Sequence, residues 1–178
     1  MANFDINSWQ QITISGSERQ SLDGSVLYTE GQGSVFFQDT NVTRPEQQWQ
    51  IYPFNSSYVL RTQGSGPEGY MNVAAGVQDS SSTLGATVPD MRNSSLSGPS
   101  MFWQITPWGD GTFFFTNSAN GSAWHLTLLP PVPNSLMAMT SNITAPQSGQ
   151  RFTFKKLGAI NDERYSSVIV CEFVWMSV

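Results

Sequence analysis

One strand-like signature occurs three times along the chain, as Gln47-Gln48-Trp49-Gln50-Ile51, as Met101-Phe102-Trp103-Gln104-Ile105 and, weakened, as Gln150-Arg151-Phe152-Thr153-Phe154. The three aromatic residues are 54 and 49 positions apart. A near-constant period of this size marks a protein built from repeated supersecondary units. On a strand, a residue and the one two positions on share a face. Trp49 with Ile51, Trp103 with Ile105 and Phe152 with Phe154 therefore read as three equivalent contributions to a common core, scaffold rather than ligand contacts.

Upstream of each signature lies a second element of period two, apolar-x-apolar-x-small: Ile12-x-Ile14-x-Gly16, Tyr58-x-Leu60-x-Thr62 and Phe113-x-Phe115-x-Asn117. Between the two elements each unit offers two weaker strands, at residues 20–23 with 34–38, 70–74 with 86–88, and 123–128 with 136–140. Four strands in each of three lobes gives about twelve. The lobes fall at about 8–54, 55–110 and 111–157, so residues 1–157 form one all-β domain and 158–178 a tail whose structure the pattern leaves open. That tail holds an apolar run at 168–176, interrupted by Glu172 and too short to span a bilayer. It could add an edge strand, bury itself in a partner or stay disordered.

Composition narrows the partners. Only 12% of residues are charged, the net charge is −5, and the whole chain has eight Lys and Arg. A nucleic-acid backbone needs clustered cations, and an anionic membrane repels an acidic surface, so neither is an expected partner. Cys171 is the single cysteine, so the core has no internal disulfide. No basic start with an apolar run opens the sequence, which places the expected residence in the cytoplasm, or outside it by an unconventional route. Five Asn-x-Ser/Thr triplets, at Asn41, Asn55, Asn93, Asn120 and Asn142, are formal glycosylation acceptors in predicted loops.

Three four-stranded lobes, each closed by a Gln-x-Trp-like strand, resemble the ricin-B-type β-trefoil of many carbohydrate-binding modules and fungal lectins. The resemblance covers residues 8–157. Its motif is complete in Gln47-Gln48-Trp49; Met101 replaces the Gln of the second copy and Phe152 the Trp of the third. The resemblance implies a pseudo-threefold β-trefoil and a glycan partner. It also implies a lobe pocket made of an Asp on the second strand, an aromatic platform near the third, and a polar group just before the motif. In the first lobe those positions point to Asp23, to Phe37 or Gln38, and to Glu46 beside Gln47. Glu46 stands where Asn is usual, and an ionised carboxylate accepts but cannot donate. Asp23 has a second reading, as a turn residue in Leu22-Asp23-Gly24-Ser25. The second lobe offers Asn72 at the Asp position and the third His125 or Trp124, a pattern of degenerate sites.

Catalytic motifs are missing: no G-x-S-x-G, Walker-type G-K-[ST] or H-E-x-x-H sequence occurs, and His125 is the only histidine. Asp162 and Glu163 are adjacent and would point apart on a strand, which disfavours a glycosidase pair. Gly64-Ser65-Gly66-Pro67-Glu68-Gly69 has dinucleotide-loop spacing, but Pro67 lacks an N–H and no helix follows, so it reads as a hairpin loop. Trp108-Gly109-Asp110-Gly111-Thr112 reads as the hairpin joining lobes two and three, with Trp108 as an optional stacking surface. No cofactor or metal site is expected. The two surviving functional classes are a non-enzymatic lectin module and a protein-binding module, such as a protease inhibitor, acting through the long Ser/Gly/Pro-rich segment 76–100.

Overall fold

The structure is a computed structural model that describes residues 2–25, 31–75, 87–129, 137–141, 143 and 147–170. Cys171, Asn142, residues 171–176 of the apolar run and residues 76–86 of the long second-lobe segment lie outside them. Twelve strands are seen among the described residues: β1 Ser8–Ile14, β2 Ser17–Ser25, β3 Gln32–Asp39, β4 Trp49–Phe54, β5 Ser57–Thr62, β6 Gly69–Ala75, β7 Thr87–Asn93, β8 Trp103–Pro107, β9 Phe113–Asn117, β10 His125–Leu128, β11 Met137–Thr140 and β12 Phe152–Ala159. Every interstrand pairing between them is antiparallel.

Strands β1, β4, β5, β8, β9 and β12 follow one another in the sheet, and the β12–β1 pairing closes them into a six-stranded barrel. Closure leaves these strands without a free edge. The hairpins β2–β3, β6–β7 and β10–β11 are set outside that ring. Threefold equivalence shows in the register, where Gln10 meets Trp49, Tyr58 meets Trp103, and Phe113 meets Phe152. Each signature aromatic is also preceded by a short 3-10 turn, Pro45–Gln47, Pro99–Met101 or Ser148–Gln150, that buries its last residue.

The core forms where the repeat predicts. Trp49, Trp103, Phe152, Ile51 and Ile105 join Leu22, Phe37, Phe115 and Leu126 in one buried cluster, with Phe154 packed at its margin. Phe115 stands edge-on to both Trp103 and Phe152, with ring centres 6.2 and 4.8 Å away. Each indole has a polar duty as well: Trp49 Nε1 donates to Leu22 O at 2.8 Å and Trp103 Nε1 to Met71 O at 3.0 Å. Gly24 exists because of this packing, since a Cβ there would lie 2.5 Å from Trp49 Cη2.

The loop 64–69 links β5 to β6; a Cβ on Gly69 would sit 2.3 Å from Ser65 Cβ, whereas Gly66 has open space and a φ of 79°, so the first serves close packing and the second the turn. Trp108 N donates to Thr112 O at 2.9 Å across the β8–β9 turn, with Gly109 and Gly111 at φ of 90° and 87°.

Past residue 157 the chain stays attached. β12 runs to Ala159, opposite Ser8, and Tyr165 of the 3-10 turn Glu163–Tyr165 is buried edge-on against Trp9. Arg61 is the anchor. Fully buried on β5, it donates from Nη2 to Tyr165 O (2.7 Å) and Ser167 O (2.9 Å), from Nη1 to Pro67 O (2.7 Å) and from Nε to Gln50 Oε1 (2.6 Å). The rings of Tyr52, Tyr70 and Tyr165 surround its guanidinium, and no carboxylate among the described residues pairs with it. Further on, Leu96 N donates to Ile169 O at 2.8 Å.

Candidate functional site

In the β2–β3 hairpin, directly opposed residues share a face. Leu22 opposes Phe37 and Asp23 opposes Phe36. The first pair turns inward: Phe37 is 1% exposed and its ring lies 6.4 Å from that of Phe152. Phe37 is thus core, and the expectation that it forms a platform is corrected by the register. Its neighbour Phe36 is the half-buried ring on the face of Asp23. That choice was open in the sequence, because Phe36-Phe37 supplies one aromatic to each side of the strand.

Gln38, two residues on and on the same face, donates from Nε2 to Asp23 Oδ2. Arg44, in extended backbone just before the Pro45–Gln47 turn, places Nε 3.0 Å from Asp23 Oδ2 and 3.3 Å from Glu46 Oε2. The Asp23 side chain is fully shielded while Arg44 is 43% exposed, so the guanidinium lies over the carboxylate. Asp23 Oδ1 has no hydrogen-bond partner among the described residues. Burial pushes the Asp23 carboxyl above its ordinary pKa, against the pull of Gln38 and then Arg44. Glu46 is held close to the next turn, for a Cβ on Gly64 would lie 2.9 Å from its Cγ.

Gln47 has a different role. It is fully buried, donates from Nε2 to Asp39 O at 3.0 Å and accepts from Asn41 N at 2.8 Å, which ties down the β3–β4 connection. Its amide bonds the backbone and also acts weakly on the Asp23 carboxyl; the other members of the first-lobe cluster around Asp23 are Phe36, Gln38, Arg44 and Glu46. Arg44 escaped the sequence reading; an arginine two residues before the departing Glu46 was the available signal.

The other lobes carry different groups at matching levels. In the second, Asn72 opposes Asp90, donating to its Oδ1 at 2.7 Å, and Arg92 Nε donates to Asp90 Oδ2 at 2.7 Å. In the third, the register puts Thr127, opposite Ala138, at the level of Asp23. His125 opposes Thr140 and so matches Ser21 instead, which corrects its assignment to the Asp position. It is buried, stacked on Phe114 with centres 4.4 Å apart, and bonded through Nδ1 to Gln150 Oε1 at 3.1 Å. Burial lowers its pKa, against the Gln150 contact. Trp124 packs half-buried on the core, and Trp108 rests on Phe114 and His125, 4.5 and 5.6 Å away.

Among the described residues, surface clefts also lie away from this cluster. One of about 410 Å³ runs past Thr13, Glu18, Val42 and Lys155; two of about 380 and 290 Å³ flank Tyr165. No group of three His, Cys, Asp or Glu among the described residues could hold a metal ion. Asp162 caps the 163–165 turn by accepting from Arg164 N at 3.0 Å.

Solved structures place the architecture. A designed threefold-symmetric protein, ThreeFoil, superposes with a TM-score of 0.64 at 18% identity, over 84% of this chain and 99% of that one. The fold is a β-trefoil. The trefoil also matches the ricin B-like lectin of Macrolepiota procera, solved with lactose, at a TM-score of 0.63 and 15% identity, over 88% of this chain and 100% of the lectin. The Polyporus squamosus lectin, solved with a sialylated epitope, matches at 0.61 and 20% identity over 87% of this chain, which spans about half (51%) of that lectin's length. No protein-family model and no curated protein matches the sequence.

Proposed function

We propose that this trefoil is a non-catalytic carbohydrate-binding module whose pocket lies in the first lobe, around Asp23. The observation that carries this reading is a buried carboxylate with one oxygen unpartnered, set opposite the half-buried ring of Phe36. A carboxylate accepts paired sugar hydroxyls while a ring covers the apolar C–H face of the sugar, and together they supply orientation and burial. Gln38 can donate at the rim. Lectins of the same fold, a ricin B-like one holding lactose and another holding a sialylated glycan, support glycans as the ligand class. The alternative, a protein-binding trefoil working through residues 76–100, has less support, because seven of those residues form strand β7.

A glycan array followed by titration calorimetry tests the proposal. Wild type binds a glycan and Asp23→Ala loses at least about tenfold in affinity, the scale of a charge-assisted hydrogen bond. Absence of binding by wild type, or binding that Asp23→Ala leaves untouched, rejects the site.

A further inference from the structure

We infer that Arg44 is a gate on the first-lobe pocket, closed on Asp23 in the free protein and given a second seat by Glu46. The inference rests on the reading of Asp23 as the sugar-binding carboxylate, and it adds how that carboxylate is reached.

Asp23 is fully shielded from solvent, and the group over it is the 43%-exposed side chain of Arg44. A ligand reaches the carboxylate only when that guanidinium moves. Its Nε stands 3.0 Å from Asp23 Oδ2 and 3.3 Å from Glu46 Oε2, so one guanidinium is ion-paired with both a buried and a half-buried carboxylate. Turning wholly to Glu46 leaves the guanidinium paired, so the cost of opening falls on Asp23, the buried partner it leaves. Asp23, stripped of Arg44 and holding an oxygen without a partner, is then short of donors. A pair of neighbouring hydroxyls on a neutral sugar supplies them without bringing a second negative charge beside Glu46.

This accounts for Glu46 at a place where the lectin resemblance expects Asn. As a direct sugar contact a carboxylate is the poorer residue, since it cannot donate. As a seat for a displaced arginine it is the better one. The second lobe provides the contrast: Arg92 bonds Asp90 two residues away on its own strand, and no second carboxylate among the described residues pairs with it. That pair has nowhere to go.

The test is a double-mutant cycle on Arg44 and Glu46, read by calorimetry with lactose and with the best neutral glycan from the array. A closed gate reduces apparent affinity by the fraction of open protein. Arg44→Gln therefore binds roughly 3- to 10-fold tighter than wild type, Glu46→Gln binds weaker by a similar factor, and the double variant matches Arg44→Gln, because Glu46 acts only through Arg44. Binding that Arg44→Gln weakens or leaves unchanged overturns the gate, as does an undiminished Glu46→Gln effect in the Arg44→Gln background, which would make Glu46 a sugar contact. If none of the four proteins binds any glycan, the lectin reading falls. The sharing of Arg44 is judged separately, by NMR titration of the Asp23 carboxyl without sugar. Glu46→Gln lowers that pKa more when Arg44 is present than in the Arg44→Gln background; equal shifts overturn the gate.

Discussion

At one level of its outer hairpin the first lobe sets Asp23 against Phe36; at the matching level of the third, Thr127 faces Ala138. Behind both levels the barrel is the same, with Trp49 in one lobe and Phe152 in the other, each fully buried. Polar groups of the third lobe answer one another without charge: Thr127 and Thr140 share a hydrogen bond at 2.7 Å, and Gln150 bridges from Thr127 at 3.0 Å to His125 at 3.1 Å. The first lobe instead buries a carboxylate and leaves one of its oxygens unanswered. Repetition thus constrains the rings that fill the barrel and leaves the outer hairpin faces free to diverge. A site that gives up stability for an open acceptor is where function is sought.

Deleting the rings should have the largest effect and show whether the two lobes are equivalent. Trp49→Ala and Phe152→Ala are each expected to cost about 3–5 kcal/mol in urea unfolding. Trp49 should cost the more, since its loss also leaves Leu22 O without the indole donor. Costs that differ several-fold would mean that the lobes share the barrel unequally. Gly24→Ala comes next: its Cβ would collide with the Trp49 indole, and overpacking of this kind costs about 1–3 kcal/mol. The matching position of the second lobe already holds Val73, so an unaffected Gly24→Ala protein would disprove the tight first-lobe packing.

The smallest effects should have opposite pH dependence in the two lobes. Asp23 has a raised pKa, so its contribution is full below the unfolded value of 3.8 and is lost as pH rises through its folded pKa. His125 has a lowered pKa, so its contribution is full above 6.5 and is lost as pH falls through its folded pKa. In thermal melts across the acidic range, Asp23→Asn should flatten the first trend and His125→Gln the second. Two variants that flatten the same side would refute the assigned environments.

The frame was legible because a strand's period and a ring repeated every fifty or so residues survive without knowledge of partners. The site was not, and the reason is register. Phe36 and Phe37 are neighbours in sequence and face opposite ways, and which one enters the core depends on the strand across from them. The same two-residue alternation moved His125 off the position that Thr127 holds. Gln47, named by the lectin motif, proved to be committed to backbone groups of its own loop. Arg44 meets Asp23 across a hairpin and a turn, a pairing that no local pattern encodes.

The clamp around Arg61 makes the stretch beyond the third repeat a working part of the second. Shortened to its last strand, the chain would forfeit the Tyr165 and Ser167 carbonyls and the Tyr165 ring, and strand a cation beside the two phenol rings of Tyr52 and Tyr70. Anyone transplanting this trefoil into another host should therefore carry it through Val170, which also keeps the Leu96 contact with Ile169. A neighbour joined after that residue would leave from a fixed point on the barrel wall, not from a swinging tether.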